Sequence, residues 1–275
     1  MGVLNITPDS FSDGGLYFDK DSAISRGIEL AAEGADIIDV GGESTRPGSD
    51  PVPAQEELKR IIPVISALRA KTDVLISVDT TKSEIAEAAI EAGADIINDI
   101  SAFRFDSRMP LLAAQKGVSV ILMHMKGTPK TMQLDPTYED LLGEIKSFLQ
   151  EKIEIAQASG INEEKIIIDP GIGFGKSVED NLILINNLSF LEELERPILI
   201  GTSRKSFLGS ILNLPPLERS EGTIASAVLS IIRGAHILRV HDVEIIKRAI
   251  LVAESILNEN LALDAPEEKK EEHVC

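Results

Sequence analysis

The sequence predicts a single-domain α/β fold, a closed (β/α)8 barrel of the TIM type. Short β-branched runs alternate with amphipathic helical patterns through eight units, over roughly the 250 residues typical of such barrels. Every crossover between the runs is helical, as parallel strands require. One stretch also recurs: "GADIIDV" from Gly34, "GADIIND" from Gly93 and "GAHILRV" from Gly234. An open doubly wound sheet is the structural alternative, but eight units with helical crossovers favour closure.

The predicted strands are 3–6 (VLNI), 36–40 (DIIDV), 74–79 (VLISVD), 95–99 (DIIND), 119–125 (SVILMHM), 165–169 (KIIID), 197–201 (PILIG) and 236–240 (HILRV). Helical patterns separate them, among them "SAISRGIELAAE", "SEIAEAAIEA", the long "YEDLLGEIKSFLQEKIEIAQA" and "GTIASAVLSIIR"; "VEIIKRAILVAESIL" is the last. In each repeat the glycine stands where a helix needs a left-handed stop. The run after it suits a buried parallel strand. The sixth repeat residue is polar each time: Asp39, Asn98 and Arg239. That places a polar group late on three strands and predicts a shared surface there. Barrel active sites lie at the C-terminal strand ends. Those ends carry Asn5, Asp39, Asp79, Asn98, His124, Asp169, Ser203 with Lys205, and Arg239 with His241. Any barrel rim meets water and is polar, so the rim alone raises the odds of a site only modestly.

Composition narrows the function. The chain has 275 residues, 43% hydrophobic and 26% charged, with room for one large α/β domain or two small ones. A formal net charge of −18 disfavours general binding of nucleic acid or anionic membrane, so an anionic ligand needs a local basic cluster. The single cysteine, Cys275, excludes an internal disulfide framework and fits a reducing, cytoplasmic setting. No apolar run is long enough to span a bilayer. The barrel is expected over 1–258, with 259–275 an acidic, solvated tail that contains His273.

The stretch "IDPGIGFGKS" (168–177) invites a nucleotide-binding reading and refuses it. The phosphate loop G-x-x-x-x-G-K-[ST] needs glycine at position 170, where the chain has Pro170, without an N–H to offer. Gly171, Gly173 and Gly175 also miss the dinucleotide spacing G-x-G-x-x-G.

Eight motifs occur in order: "MGVLNITPDSFSDGG", "GGESTRPGS", "SVDTTK", "INDIS", "MHMKGTPKTMQ", "DPGIGFGKS", "GTSRKSFLG" and "RVHDV". Together they resemble the dihydropteroate synthase family, from the first residue to about 258. The resemblance implies condensation of a dihydropterin pyrophosphate with p-aminobenzoate, a step of folate synthesis that sulfonamides compete with. It implies pterin contacts from Asp79, Asn98, Met123, Asp169, Phe174 and Lys205. Pyrophosphate would meet Asn5, Thr45, Arg46, Arg239 and His241. p-Aminobenzoate would meet Phe11, Thr45, Pro47, Phe174, Lys205 and Ser206. Magnesium is expected on Asn5, which suits an ion that takes few protein ligands and leans on substrate phosphates. Asp13 is expected to stabilise a cationic transition state electrostatically in an SN1-like displacement, with Lys205, Arg239 and His241 also catalytic. A homodimer through the late helices is implied as well.

Residue chemistry supplies other readings of the same positions. Asp79 in "DTTKSEIAE" also reads as a helix start, and Ser206 as the N-cap of "FLGSIL". Arg204 suits a surface salt bridge, and His124 is either a wall of the site or a hydrogen-bonded rim residue. His236 is expected to be structural. In 168–177 the glycines are expected to make room for a flat ring, with Lys176 and Ser177 the least important members. The loops "TPDSFSDGGLYFD" and "ESTRPGSDPVPAQ" exceed usual α/β connections and are expected to close over ligand. The family usually carries a segment before "MGVLNITPDSF"; without that plug, apolar core would be exposed at the barrel base. Two alternatives stay open: a catalytically silent pterin-binding paralogue, and a pterin-dependent methyltransferase, which has no need of "ESTRPG", "SRKS" or "RVHDV".

Overall fold

The computed structural model of the chain describes residues 1–7, 20–44, 48–134 and 136–259. All eight predicted strands form: β1 (Gly2–Asn5), β2 (Ile37–Gly41), β3 (Leu75–Asp79), β4 (Ile96–Asp99), β5 (Ser119–Met123), β6 (Ile166–Asp169), β7 (Leu199–Ile200) and β8 (Ile237–Leu238). β1 to β6 pair in chain order and in parallel, and β7 pairs with β8. Two bridges close the ring, Ile168 to Ile198 and Gly2 to Val240. Val3 N–H donates to Val240 O, and Val240 N–H to Met1 O, each at 2.9 Å. The fold is therefore the expected single-domain barrel, with no free sheet edge at that seam. β7 and β8 shrink to two paired residues each. Successive N–H groups of His236 and Ile237 both reach Ile198 O, at 2.9 and 3.1 Å, which interrupts the regular alternation.

The helices are α1 (Lys20–Ala32), α2 (Ala54–Arg69), α3 (Ser83–Glu91), α4 (Met109–Lys116), α5 (Leu141–Ala158), α6 (Val178–Asn186), α7 (Ser206–Leu212), α8 (Ser220–Ile232) and α9 (Val243–Leu257). The repeat glycines stop α1, α3 and α8 as expected: φ is +92° at Gly34, +112° at Gly93 and +99° at Gly234. None of the described helices is long and apolar enough to cross a membrane.

Two apolar shells flank the strands. The larger lies between strands and helices and includes Ile38, Ile76, Ile97, Val120 and Ile168. The smaller fills the barrel interior with Met1, Ile37, Ile96, Ile121, Ile167 and Leu199. Met1 is buried there, its ammonium donating to Leu238 O at 3.0 Å. Met1 packs into that layer, while Leu75, in register with Ile37 at the start of β3, is 46% exposed at the base. Nearer the C-terminal strand ends the interior changes character. Asp39, Ser77 and Asn98 are buried polar residues, so the barrel mouth has a polar floor.

Candidate active site

The three polar residues of the sequence repeat converge on one point. Asp39 is fully buried, and its Oδ2 accepts from Arg239 Nε at 2.6 Å and from Asn98 Nδ2 at 3.1 Å. Arg239 also donates through Nη2 to Asp79 Oδ2 at 2.9 Å. One guanidinium thus bridges two carboxylates inside the mouth. β3 and β4 set Asp79 beside Asn98 by register, and β5 and β6 set Met123 beside Asp169. Burial raises the Asp79 carboxyl above its ordinary value, the nearby Asp39 carboxylate adds to this, and Arg239 opposes it. Asp79 caps no helix: α3 starts at Ser83, with Lys82 in the N-cap position.

On the opposite side, Asp169 Oδ1 accepts from Gly171 N–H at 2.6 Å. Burial pushes its carboxyl up to about 6, against the pull of that hydrogen bond and of Lys205. Lys205 Nζ lies 4.2 Å from the Phe174 ring centroid, a cation–π contact. Burial and the Arg239 charge lower its pKa to about 8. Phe174 packs with Ile100, Met123, Met125 and Met132 into an apolar wall. The mouth therefore brings together buried carboxylates, a lysine over an aromatic ring, and an apolar wall of methionines.

His241 and Arg239 take different partners. His241 Nδ1 lies 3.0 Å from Ser203 Oγ, and its own N–H reaches the same oxygen at 3.3 Å. Burial first, then Arg239 and Arg204, lower the imidazole to about 3. At neutral pH the ring is uncharged and offers an N–H rather than a full positive charge to an anion. Arg204 forms a two-point ion pair with Asp242, at 3.1 and 2.6 Å, as its salt-bridge reading anticipates. Arg239 and Arg204 are thus both compensated by carboxylates.

Three expectations for 168–177 and the loop after β7 need correction. Gly171 and Gly175 do not open space for a ring, whereas a Cβ at Gly173 would meet only the Lys205 side chain, at 3.3 Å. All three have positive φ, and at Gly171 and Gly175 the room is taken by backbone: a Cβ would lie 1.9 Å from His124 O and 2.5 Å from Lys126 O. Lys176 is buried, with Nζ 2.9 Å from His124 Nδ1, 3.1 Å from Phe174 O and 3.4 Å from His124 O. Burial lowers its pKa to about 7. It ties the β5 end to the loop that carries Phe174, and Ser177 caps α6 in a reciprocal capping box with Asp180. Both residues therefore build the site wall. Ser206 is not an N-cap; Lys205 occupies that position, and Ser206 is the exposed first residue of α7.

His124 is the hydrogen-bonded rim residue of its two readings, edge-on to Phe148 at 4.9 Å and held neutral by burial and Lys176. His236 Nδ1 accepts from Ile198 N–H at 3.2 Å, which is structural. Asn5 ends β1 opposite Gly41, where even a Cβ would sit 3.7 Å from Asn5 Oδ1. Phe11, Asp13, Thr45, Arg46 and Pro47 lie outside the described residues. The described base of the second loop is anchored: Lys82 Nζ holds Glu43, Glu57 and the Val52 carbonyl. Sequence reasoning placed Asp39 on the rim but gave it no task; its signal was the shared repeat position. Ser203 had no signal beyond its place at a strand end.

Comparison with known proteins gives the family. The family model described as "Pterin binding enzyme" matches residues 1–241. A dihydropteroate synthase from Synechocystis is 48% identical over 257 residues, covering 93% of this chain and 89% of its own. The Yersinia pestis dihydropteroate synthase, solved with a sulfonamide drug, superposes with a TM-score of 0.89 at 45% identity, covering 94% of this chain and 93% of that one. The Xanthomonas albilineans dihydropteroate synthase with 4-aminobenzoic acid gives 0.88 at 45% identity, covering 93% and 92%. Identity of this order over nearly the whole length, on the same barrel, means that the chain belongs to the dihydropteroate synthase family of pterin-binding enzymes.

Proposed function

We propose that the chain condenses 6-hydroxymethyl-7,8-dihydropterin pyrophosphate with p-aminobenzoate to give 7,8-dihydropteroate and pyrophosphate, in folate synthesis. One observation carries the reading at the level of chemistry. Asp79, Asn98 and Asp169 each keep one side-chain oxygen without a hydrogen-bond donor among the described residues. These three acceptors fit the N–H donors of a pterin edge, and a carboxylate takes paired donors well. The wall of Phe174 and Met123 fits the flat ring, with Lys205 lying along it.

In this reading the C–O bond of the CH2–O–pyrophosphate arm breaks first, and pyrophosphate leaves with the bonding electrons. The dihydropterin ring spreads the resulting positive charge, and the buried carboxylates, with Asp13 in the first loop, stabilise it. The aniline nitrogen then forms the C–N bond and releases its proton to water. It is a neutral nucleophile, so no strong base is required. Arg239 keeps Nη1 outside its two carboxylate contacts and can turn it to the leaving group, and neutral His241 donates one hydrogen bond. Thr45 and Arg46 complete the pyrophosphate site. In this reading Phe11, Thr45, Pro47, Phe174, Lys205 and Ser206 are the p-aminobenzoate residues, the site for which sulfonamides compete.

Among the described residues no three His, Cys, Asp or Glu side chains gather to hold a metal. The amide oxygen of Asn5, beside Gly41, fits Mg²⁺ that takes most of its ligands from phosphate and water. Bound there, the ion would supply neutralising charge to the pyrophosphate. A homodimer through α8 and α9 is supported by exposed Leu229, Ile232, Ile245, Val252 and Ile256 on those helices. The enzyme is placed in the cytoplasm, and the domain is taken as 1–258.

The deciding assay supplies both substrates and Mg²⁺ and follows dihydropteroate and pyrophosphate together. Folded protein that binds pterin without forming product would identify a silent paralogue. Omission of p-aminobenzoate tests the order of steps: pyrophosphate release without it is the expected SN1-like signature.

A further inference from the structure

We infer that Asp39 is a positioning residue that sets the ligand selectivity of the mouth, by fixing which end of the Asn98 amide faces the ligand. A carboxylate accepts hydrogen bonds and donates none. Asp39 Oδ2 lies 3.1 Å from Asn98, so the atom facing it is the NH2 group, and the Asn98 oxygen is left to face the ligand. With the amide turned over, two oxygens would oppose each other in a buried site, at the cost of an unmet acceptor pair. Asp39 itself cannot drift: it is fully buried and pinned by Arg239 at 2.6 Å. Its Oδ1 is buried without a partner among the described residues, an unsatisfied atom that the fold retains although an apolar residue would fill the space without it.

The consequence reaches beyond one residue. Asp79 and Asp169 can present only acceptors while ionised. Asn98 is the one member of the trio with a choice, and Asp39 removes that choice. At these three positions the mouth then offers only acceptors and selects ring edges that carry N–H donors there. A ring with a carbonyl in place of the exocyclic amine would meet oxygen against oxygen. This inference rests on the pterin reading above, but its test needs no turnover.

Calorimetric dissociation constants for 6-hydroxymethylpterin and its 2-oxo analogue supply the readout, as a ratio within each protein. Wild type is expected to prefer the amino compound strongly. Asp39→Leu frees the Asn98 amide, and the preference should fall by about tenfold, as loss of one oriented hydrogen bond predicts. Asp39→Asn can place its amide oxygen where Oδ2 stands, so it should retain most of the preference. A purely structural role would weaken both ligands alike and follow thermal stability, with the ratio unchanged, and that result overturns the inference. If Asp39→Leu does not fold, proton exchange of the wild-type Asn98 side-chain amide decides: slow exchange is expected in free and bound states. Fast exchange, or transfer of the amide protons onto the ligand, overturns it. A wild type that discriminates between the ligands yet forms no dihydropteroate would refute the proposed activity alone.

Discussion

Gly171→Ala tests the link between backbone strain, wall geometry and binding. Gly171 has φ of +73°, a left-handed conformation that costs an L side chain about 1–2 kcal/mol. The added Cβ would lie 1.9 Å from His124 O and 3.1 Å from its carbonyl carbon. Those are backbone atoms at the β5 end, and His124 N–H is itself bonded to Asp169 O at 2.9 Å. Neither side can rotate away, so relief needs a backbone shift, costing about 1–3 kcal/mol more by analogy with overpacked cores. A total near 3 kcal/mol lowers Tm by about 10 °C at about 2–4 °C per kcal/mol. The same shift pulls Gly171 N–H from Asp169 Oδ1, so pterin affinity should fall alongside stability. Gly117→Ala is the control. Gly117 caps α4 at φ of +66°, with its nearest neighbour, the flexible Lys165 Nζ, 3.9 Å from the added carbon. It carries the handedness cost without the clash. Thermal unfolding and pterin calorimetry on both variants separate the terms. Equal loss of Tm in the two, with pterin affinity intact in Gly171→Ala, would refute the account of this wall.

Other outcomes follow from the same geometry. Arg239→Met strands Asp39 and Asp79 as buried neighbouring carboxylates, so it should cost about 3–5 kcal/mol in urea unfolding at pH 7 and abolish turnover. Asp169 has a carboxyl raised from 3.8 to about 6, so folded protein holds its proton where the unfolded chain has lost it. Stability from this group is full below pH 4 and lost as pH rises through 6; Asp169→Asn should therefore raise ligand-free Tm at pH 8 but not at pH 3.5. Pterin affinity, which needs the ionised acceptor, should run the opposite way and weaken below pH 6 in wild type. Lys176→Met leaves His124 Nδ1 and two carbonyl oxygens without their donor and should cost about 2 kcal/mol in urea unfolding. Val252→Glu on the exposed face of α9 should yield monomers in sedimentation without disturbing the mouth, if α9 forms the dimer seam.

The sequence alone determined the barrel, because its evidence is local and periodic. Eight β-branched runs, helical crossovers and left-handed glycines at Gly34, Gly93 and Gly234 each report on their own few residues, and all agree with the closed ring. Motif order determined the family, and the strand ends located Asp79, Asn98, Asp169, Lys205 and Arg239 on one face. Partnership was beyond its reach, since it depends on distances between residues far apart in the chain. Asp39 and Arg239 stand 200 positions apart, yet they meet at 2.6 Å across the ring seam. That contact turns an expected free cation into a bridge between carboxylates. Lys176 looked dispensable because a lysine in sequence reads as solvent-facing; packing against β5 buries it and makes it a tie beneath the site. Gly171 and Gly175 were expected to make room for a ring, but their reason is the approach of the backbone at the end of β5, which only the closed barrel brings there.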